Sequence, residues 1–293
     1  MSTRAKGACG VALLLAGLGL SAHGFAQERP AFRVCADPNN LPLSAKSLSG
    51  YENRIAKVWA DELDLPLEYT WFPQRRGFVR NTLRAPNGSG SGYKCDVVMG
   101  VAAGSDELLT TKPYYRSTYA LVYERGRDLD GVSSGADFIG LPRDLRDRLR
   151  IGAFTPTPGV RWLARHGMIE QLVAFPAMSG DPDAYPGEII EKELVGGRLD
   201  AAIVWGPVAG YFASRAQGTE LVLIPLESEP GIVFEFSIAA GVRYGDGERK
   251  RQLEELIDRT SASIHAILAE YGVPLLAIGP NAQQAAQSAD DDH

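Results

Sequence analysis

The stretch KCDVVMGVAAGSDELLTTKPYYRSTYALVY, residues 94–123, decides the fold of this 293-residue chain. It opens on Val97 to Val101, an apolar, β-branched run of the length expected for a strand buried on both faces. The run breaks at Gly100 and at Ala103-Gly104 and passes through a polar bend. It then reaches Pro113-Tyr114-Tyr115-Arg116 before a second apolar run, Tyr119 to Tyr123. A strand that ends in a loop of small residues leaves backbone groups open at its carboxyl end, where open α/β sheets bind ligands.

Working toward the amino terminus, the same alternation recurs. Phe32 to Ala36 reads as a strand, and Asp37-Pro38-Asn39-Asn40-Leu41-Pro42 as the turn at its carboxyl end. Turn chemistry alone accounts for Asp, Asn and Pro here; a strand's carboxyl end equally suits Asp37 and Asn39 for facing a cleft. From Ser49 the apolar positions change to a helical spacing at Ile55, Val58, Trp59 and Leu63, with Ser49 and Gly50 at the helix start. Trp59 therefore belongs to the core. Pro66 ends the helix, and LEYTW forms the next strand.

Trp71-Phe72-Pro73-Gln74-Arg75-Arg76 is the chemically richest loop of the first half. An aromatic beside paired guanidinium groups suits an anionic or planar ligand. The plain alternative is a solvated helix start, although cations are disfavoured at a helix amino terminus. Phe78, Val79, Thr82 and Leu83 continue a helix, and residues 85–92 read as a flexible loop by composition.

Working toward the carboxyl terminus, residues 124–150 are polar, rich in Asp and Arg, and read as a surface excursion into a second lobe. Strands are expected at 149–153, 171–174, 200–205, 221–224 and 234–240, with helices following Pro158 and at 188–195. Thr155-Pro156-Thr157-Pro158-Gly159 joins a strand to a helix amino terminus, an arrangement suited to anions and equally to plain capping. Asp181 and Asp183 flank Pro182; two carboxylates without further ligands read as a solvated turn. Residues 249–271 form one long amphipathic helix or a pair, stopped by Gly272.

Residues 1–26 have the layout of a secretory signal: Arg4 and Lys6, an apolar core from Val11 to Leu20, then small residues. That core is too short to span a bilayer. Without this segment Lys+Arg falls from 30 to 28 against 36 acids, a formal charge of about −8, which argues against nucleic acid or an anionic membrane as partner. Cys35 and Cys95 would then meet an oxidising compartment, and both a bridge and two buried thiols stay open. Residues 281–293 are polar, acidic and expected to be disordered.

A strand, a small-residue loop, Pro-Tyr-Tyr and another strand resemble the first lobe of the type II periplasmic solute-binding proteins. RVCADPNNLP at 33–42, WFPQRRGFVRNTL at 71–83 and CDVVMGV at 95–101 resemble more narrowly the XoxJ/MxaJ-type subfamily found with PQQ-dependent alcohol and methanol dehydrogenases. The resemblance implies an α/β, two-lobed fold, each lobe a mainly parallel sheet flanked by helices around a hinged cleft. Lobe one would comprise 31–121 and 237–280, and lobe two 122–236. Ligand contacts are expected from Asp37, Asn39, Trp71, Arg75, Arg76, Val101, Tyr115, Thr155, Thr157 and Trp205.

Departures from the amino-acid binders matter. The family's arginine after the third strand is replaced by Gly104-Ser105-Asp106-Glu107, and the acid ending the lobe-two strand by Trp205. A zwitterion would lack both counter-charges, at a cost of several kcal/mol. Three functions remain: a periplasmic accessory protein contacting a PQQ-dependent dehydrogenase and its cytochrome c, an importer receptor for a small polar or anionic solute with an ABC permease as partner, or a dehydratase-type enzyme. No cofactor or metal of its own is expected. For the enzyme, Glu235 is the one acid suited to general acid or base work, since His166 and His265 lie on helices with no nucleophile implied.

Overall fold

The computed structural model describes residues 30–88, 92–179, 181 and 183–278. The expected signal segment and acidic tail lie outside the described residues. No helix among them is long and apolar enough to cross a membrane.

The elements follow in chain order: β1 (Phe32–Ala36), β2 (Asn39–Asn40), β3 (Ser44–Ala45), α1 (Tyr51–Glu62), β4 (Leu67–Trp71), α2 (Phe78–Asn81), β5 (Val97–Ala102), β6 (Leu109–Thr110) and β7 (Tyr115–Glu124). Then come α3 (Gly135–Ile139), α4 (Arg143–Arg146), β8 (Ile151–Thr155), α5 (Pro158–Arg165), β9 (Leu172–Pro176), a π-helix (Ile189–Leu194), β10 (Ala201–Trp205), α6 (Gly206–Ala213), β11 (Leu221–Pro225), β12 (Glu235–Val242) and α7 (Gly247–Glu270). The main sheet runs β4-β1-β5-β12-β7-β10-β8-β9, with β11 also on β7 and β6 on β12.

This order divides the sheet into two halves. β1 pairs in parallel with β4 and β5, and β8 in parallel with β9 and β10. Between these parallel groups the chain crosses twice, on β7 and on β12, which pair antiparallel from Thr118↔Glu235 to Tyr115↔Ile238. Past Thr118, β7 leaves β12 and takes β10 and β11 as partners instead. One long strand therefore serves both lobes. The fold is mixed α/β, two parallel strand groups joined by the β7 and β12 crossing, as the resemblance implied.

Apolar spacing explains how the helices lie. In α1, Tyr51, Ile55, Ala56 and Trp59 are buried at helical intervals, and Trp59 Nε1 donates to Thr260 Oγ1 of α7 at 3.1 Å. At the start of α1 the Asn53 side chain accepts from the Gly50 amide at 3.2 Å, satisfying one donor that a helix start leaves open. α7 is a single 24-residue helix rather than a pair. Its buried Leu253, Leu256, Ile257, Ile264 and Leu268 pack on the α1 side of the first sheet. Gly272 then takes φ +68°, ending the helix as expected.

On the opposite sheet face Cys35 and Cys95 form a disulfide with Cα atoms 5.5 Å apart. It sits in a small cluster with Phe78, Leu83, Val98 and Leu108. Cys95 precedes β5, so the register that sets Cys35 beside Val98 does not fix its distance.

Three segments differ from the sequence expectation. Residues 124–150 contain α3 and α4, and Leu129, Val132 and Phe138 enter the lobe-two core. The helix after Gly77 is one turn, because Thr82 turns out of it at φ −120°, ψ −86°. The helix expected at 188–195 is wound as a π-helix.

Candidate functional site

β4, β1 and β5 end on one edge, with Ala36 level with Trp71. Asp37 follows β1 and joins two loops there. Its Oδ1 accepts from the Asn39 amide at 2.8 Å, and its Oδ2 from the Gln74 amide. Asn40 Nδ2 adds a bond of 2.9 Å to Gln74 Oε1. Asp37 thus holds the β1 loop to the β4 loop, a use of turn chemistry that the sequence left open.

The β1 loop also reaches the second lobe. Asn39 Nδ2 donates to the Asp183 carbonyl at 3.2 Å, while Asp183 itself sits in a turn whose amide bonds Asp181 Oδ1 at 2.9 Å. Leu41 packs on the lobe-two cluster around Ile190, Val204 and Phe212. Leu43, Trp205 and Tyr211 pack on that cluster and on the lobe-one core alike.

In lobe two, Thr155 ends β8 and Trp205 ends β10. Trp205 pairs with Tyr119 across the ladder and meets its ring edge-on at 5.5 Å, with Phe236 at 5.9 Å. Thr155 is exposed. Thr157 turns its hydroxyl back to the Phe154 carbonyl at 2.6 Å instead of capping α5.

Of the ten expected contacts, the strand ends bring Asp37, Asn39, Trp71 and Val101 to the first edge, and Thr155, Thr157 and Trp205 to the second. Tyr115 is set apart by burial: it is 1% exposed, and its hydroxyl lies 2.8 Å from that of Tyr51. Trp71 stacks on Tyr69 at 4.6 Å. The ring beneath Arg75 is Phe72, at 5.9 Å, rather than Trp71. Arg75 and Arg76 are exposed and border a concavity of about 580 Å³, together with Arg80, Arg84, Val101 and Met178.

Glu52 went unnoticed in the sequence, although an acid on the apolar face of α1 was a usable signal. It is 7% exposed, and Oε1 has no hydrogen-bond partner among the described residues. Gly100, at φ +67°, makes room for it: a Cβ there would lie 2.0 Å from Oε1. Burial, and after it the nearby Asp37 charge, raises the Glu52 pKa to about 8. At neutral pH this carboxyl is largely protonated, so it offers a hydrogen bond rather than a counter-charge.

Of the residues weighed for catalysis, Glu235 and His166 are engaged by other side chains. Glu235 forms an ion pair with Arg116. His166 Nε2 lies 3.0 Å from Glu229, which also accepts from Trp162 Nε1 at 2.7 Å, and His265 is exposed on α7. Among the described residues no group of three or more His, Cys, Asp or Glu is placed to hold a metal ion.

No protein-family model matches the sequence. The protein MoxJ of Methylorubrum extorquens is 30% identical over 259 residues, covering 84% of this chain and 82% of that one. The crystal structure of the periplasmic binding protein XoxJ from Methylobacterium extorquens AM1 is similar with a TM-score of 0.67 and 34% identity, covering 85% of this chain and all of the other. That of MxaJ from Methlophaga aminisulfidivorans MPT is similar at a TM-score of 0.70 and 26% identity, covering 84% of this chain.

Proposed function

The chain belongs to the MoxJ/XoxJ family of periplasmic binding proteins, and from that premise we propose that it is an exported accessory factor of a PQQ-dependent methanol or alcohol dehydrogenase. It acts in the periplasm by contact with the dehydrogenase, and with its cytochrome c, without turning over a substrate. The cofactor and metal chemistry belong to the dehydrogenase. The lobes of this chain meet at hinges where β7 leaves β12, after Thr118 and before Glu235, a few residues from the boundaries at 121–122 and 236–237 that the resemblance implied.

The observation that carries this reading is the composition of the interlobe contact. Where a zwitterion needs a cation and an anion, the interlobe contact presents Trp205 at the end of β10, Leu43 of the turn before β3 and Tyr211 of α6, packed on both lobes. The acid beside the first edge, Glu52, is held largely neutral at pH 7 by its burial. Apolar side chains that already join the lobes leave little for a small charged solute to add to closure. This counts against the importer receptor, and the engagement of Glu235 by Arg116 counts against the dehydratase.

The test is biolayer interferometry of the purified mature protein against a purified PQQ-dependent methanol dehydrogenase, beside thermal melts with millimolar glutamate, lysine and arginine. Saturable binding of the dehydrogenase with no ligand-dependent rise in Tm is expected. An amino acid that raises Tm, with no dehydrogenase binding, would establish a solute receptor instead.

A further inference from the structure

The stretch from Tyr69 to Cys95 holds Arg75, Arg76, Arg80, Arg84 and Lys94 and no aspartate or glutamate, inside a chain whose formal charge is −6. The four arginines are exposed and gather around one concavity. Arg75 lies over the Phe72 ring, and Arg84 donates to the main-chain carbonyl of Glu107. Among the described residues none of the four forms an ion pair with a carboxylate. Elsewhere arginines do so, as Arg33 and Arg243 do with Asp96 and Arg150 does with Asp200.

The floor of this concavity is apolar, made by Phe78, Val98 and Leu108, which are 7%, 2% and 4% exposed. Met178, reaching in from the lobe-two loop after β9, is 63% exposed. Asp106 and Glu107 also border it, so two acids stand against four cations.

Clustered like charges repel, and an acidic protein that gathers four arginines around one concavity has there a surface complementary to an acidic partner. Guanidinium groups hold carboxylates in paired, planar geometry. Side chains this exposed suit a macromolecule that covers them on docking better than a small ligand enclosed by the protein. The apolar floor and the exposed Met178 suit a hydrophobic side chain set among the carboxylates.

We propose that the concavity bordered by Arg75, Arg76, Arg80, Arg84 and Met178 docks an acidic segment of a protein partner, with an apolar side chain seated on Phe78 and Leu108. This rests on the reading that the chain works through protein contact, and it identifies the face used. Encounter is steered by charge, so the association rate falls steeply with salt.

The test compares wild type with an R75E/R76E/R80E variant and with a control variant, R143E/R148E, altered at exposed arginines of lobe two. Probes are the purified methanol dehydrogenase, a labelled ten-residue peptide of alternating Glu and Leu, and citrate and inorganic phosphate as small anions. We expect salt-sensitive binding of dehydrogenase and peptide, weakened at least about tenfold in the triple variant at unchanged Tm and unchanged in the control. Dehydrogenase binding that survives the triple reversal would overturn the inference and leave the accessory reading standing. Arginine-dependent peptide binding without dehydrogenase binding would do the reverse. Citrate or phosphate bound in place of the peptide would make this a small-anion site and overturn the proposal. A triple variant that fails to fold is replaced by R75Q/R76Q/R80Q, read in the same way.

Discussion

Arg116 and Glu235 form an ion pair between β7 and β12, the two strands on which the chain passes from one lobe to the other. Arg116 also donates to the Ala277 carbonyl at 3.3 Å, so it ties the segment after α7 to the crossing. Both side chains are largely buried, at 17% and 21% exposure. A carboxylate already gripped by a guanidinium is poorly placed to take a substrate proton. Glu235→Gln is expected to cost about 1–3 kcal/mol, through a charged hydrogen bond lost in a partly dry site. Differential scanning calorimetry would show a Tm lowered by several degrees; an unchanged Tm would mean that the pair contributes nothing.

Glu52 gives stability a pH dependence whose sign can be stated. Its folded pKa is about 8 against an ordinary 4.5. Below 4.5 it is protonated folded or unfolded, and it costs nothing. Between 4.5 and 8 only the unfolded chain ionises, so this group's contribution is lost as pH rises, by about 1.4 kcal/mol per pH unit at most. Above 8 the loss levels off. Glu52→Gln is expected to be more stable than wild type at pH 8 and nearly equal at pH 4.5. Melts of both proteins across pH 4–9 check it, and parallel curves would show that Glu52 does not titrate in this way.

The disulfide closes a sequence separation of 60 residues that contains α1, β4 and α2. In the chain-entropy account, opening a loop of that length costs about 4 kcal/mol. Cys35→Ser/Cys95→Ser, or wild type in dithiothreitol, is expected to lose roughly that much in urea unfolding. A change below about 1 kcal/mol would mean that strain or residual structure cancels the gain.

Much of this architecture is legible in the sequence because it follows from period and punctuation. Val97 to Val101 reads as a buried strand, and β5 is one that is buried over Val97 to Met99; Trp59 falls on the apolar face of α1 and is fully buried. What escaped reading depends on contacts distant in sequence. Leu129, Val132 and Phe138 are single apolar residues amid charges, and only the completed lobe-two core shows that they are buried. The π-winding of Ile189–Leu194 has no period of its own in so short a segment. At the strand ends the sequence suggested candidate contacts, but which of them are enclosed, as Tyr115 is, depends on the partner that Tyr51 supplies from α1.

Asp96 anchors the chain just before β5. Its side chain is 2% exposed, meeting Arg33 Nε at 2.9 Å and Arg243 Nη2 at 2.8 Å. The two arginines also hold the preceding loop: Arg33 donates to the Tyr93 carbonyl at 3.0 Å and Arg243 to the Leu83 carbonyl at 3.0 Å, with Arg243 4.1 Å from the Tyr93 ring centroid. Asp96→Asn keeps the shape but removes the charge facing two guanidinium groups, at an expected cost of about 3–5 kcal/mol. Cys95 is its chain neighbour, and both fix the same end of β5. The loss in Asp96→Asn should therefore be non-additive with that of Cys35→Ser/Cys95→Ser, with a coupling of about 0.5–3 kcal/mol. Urea unfolding of the single, double and combined variants measures that coupling. Strict additivity would mean that the bridge and the ion-pair network hold different parts of the lobe.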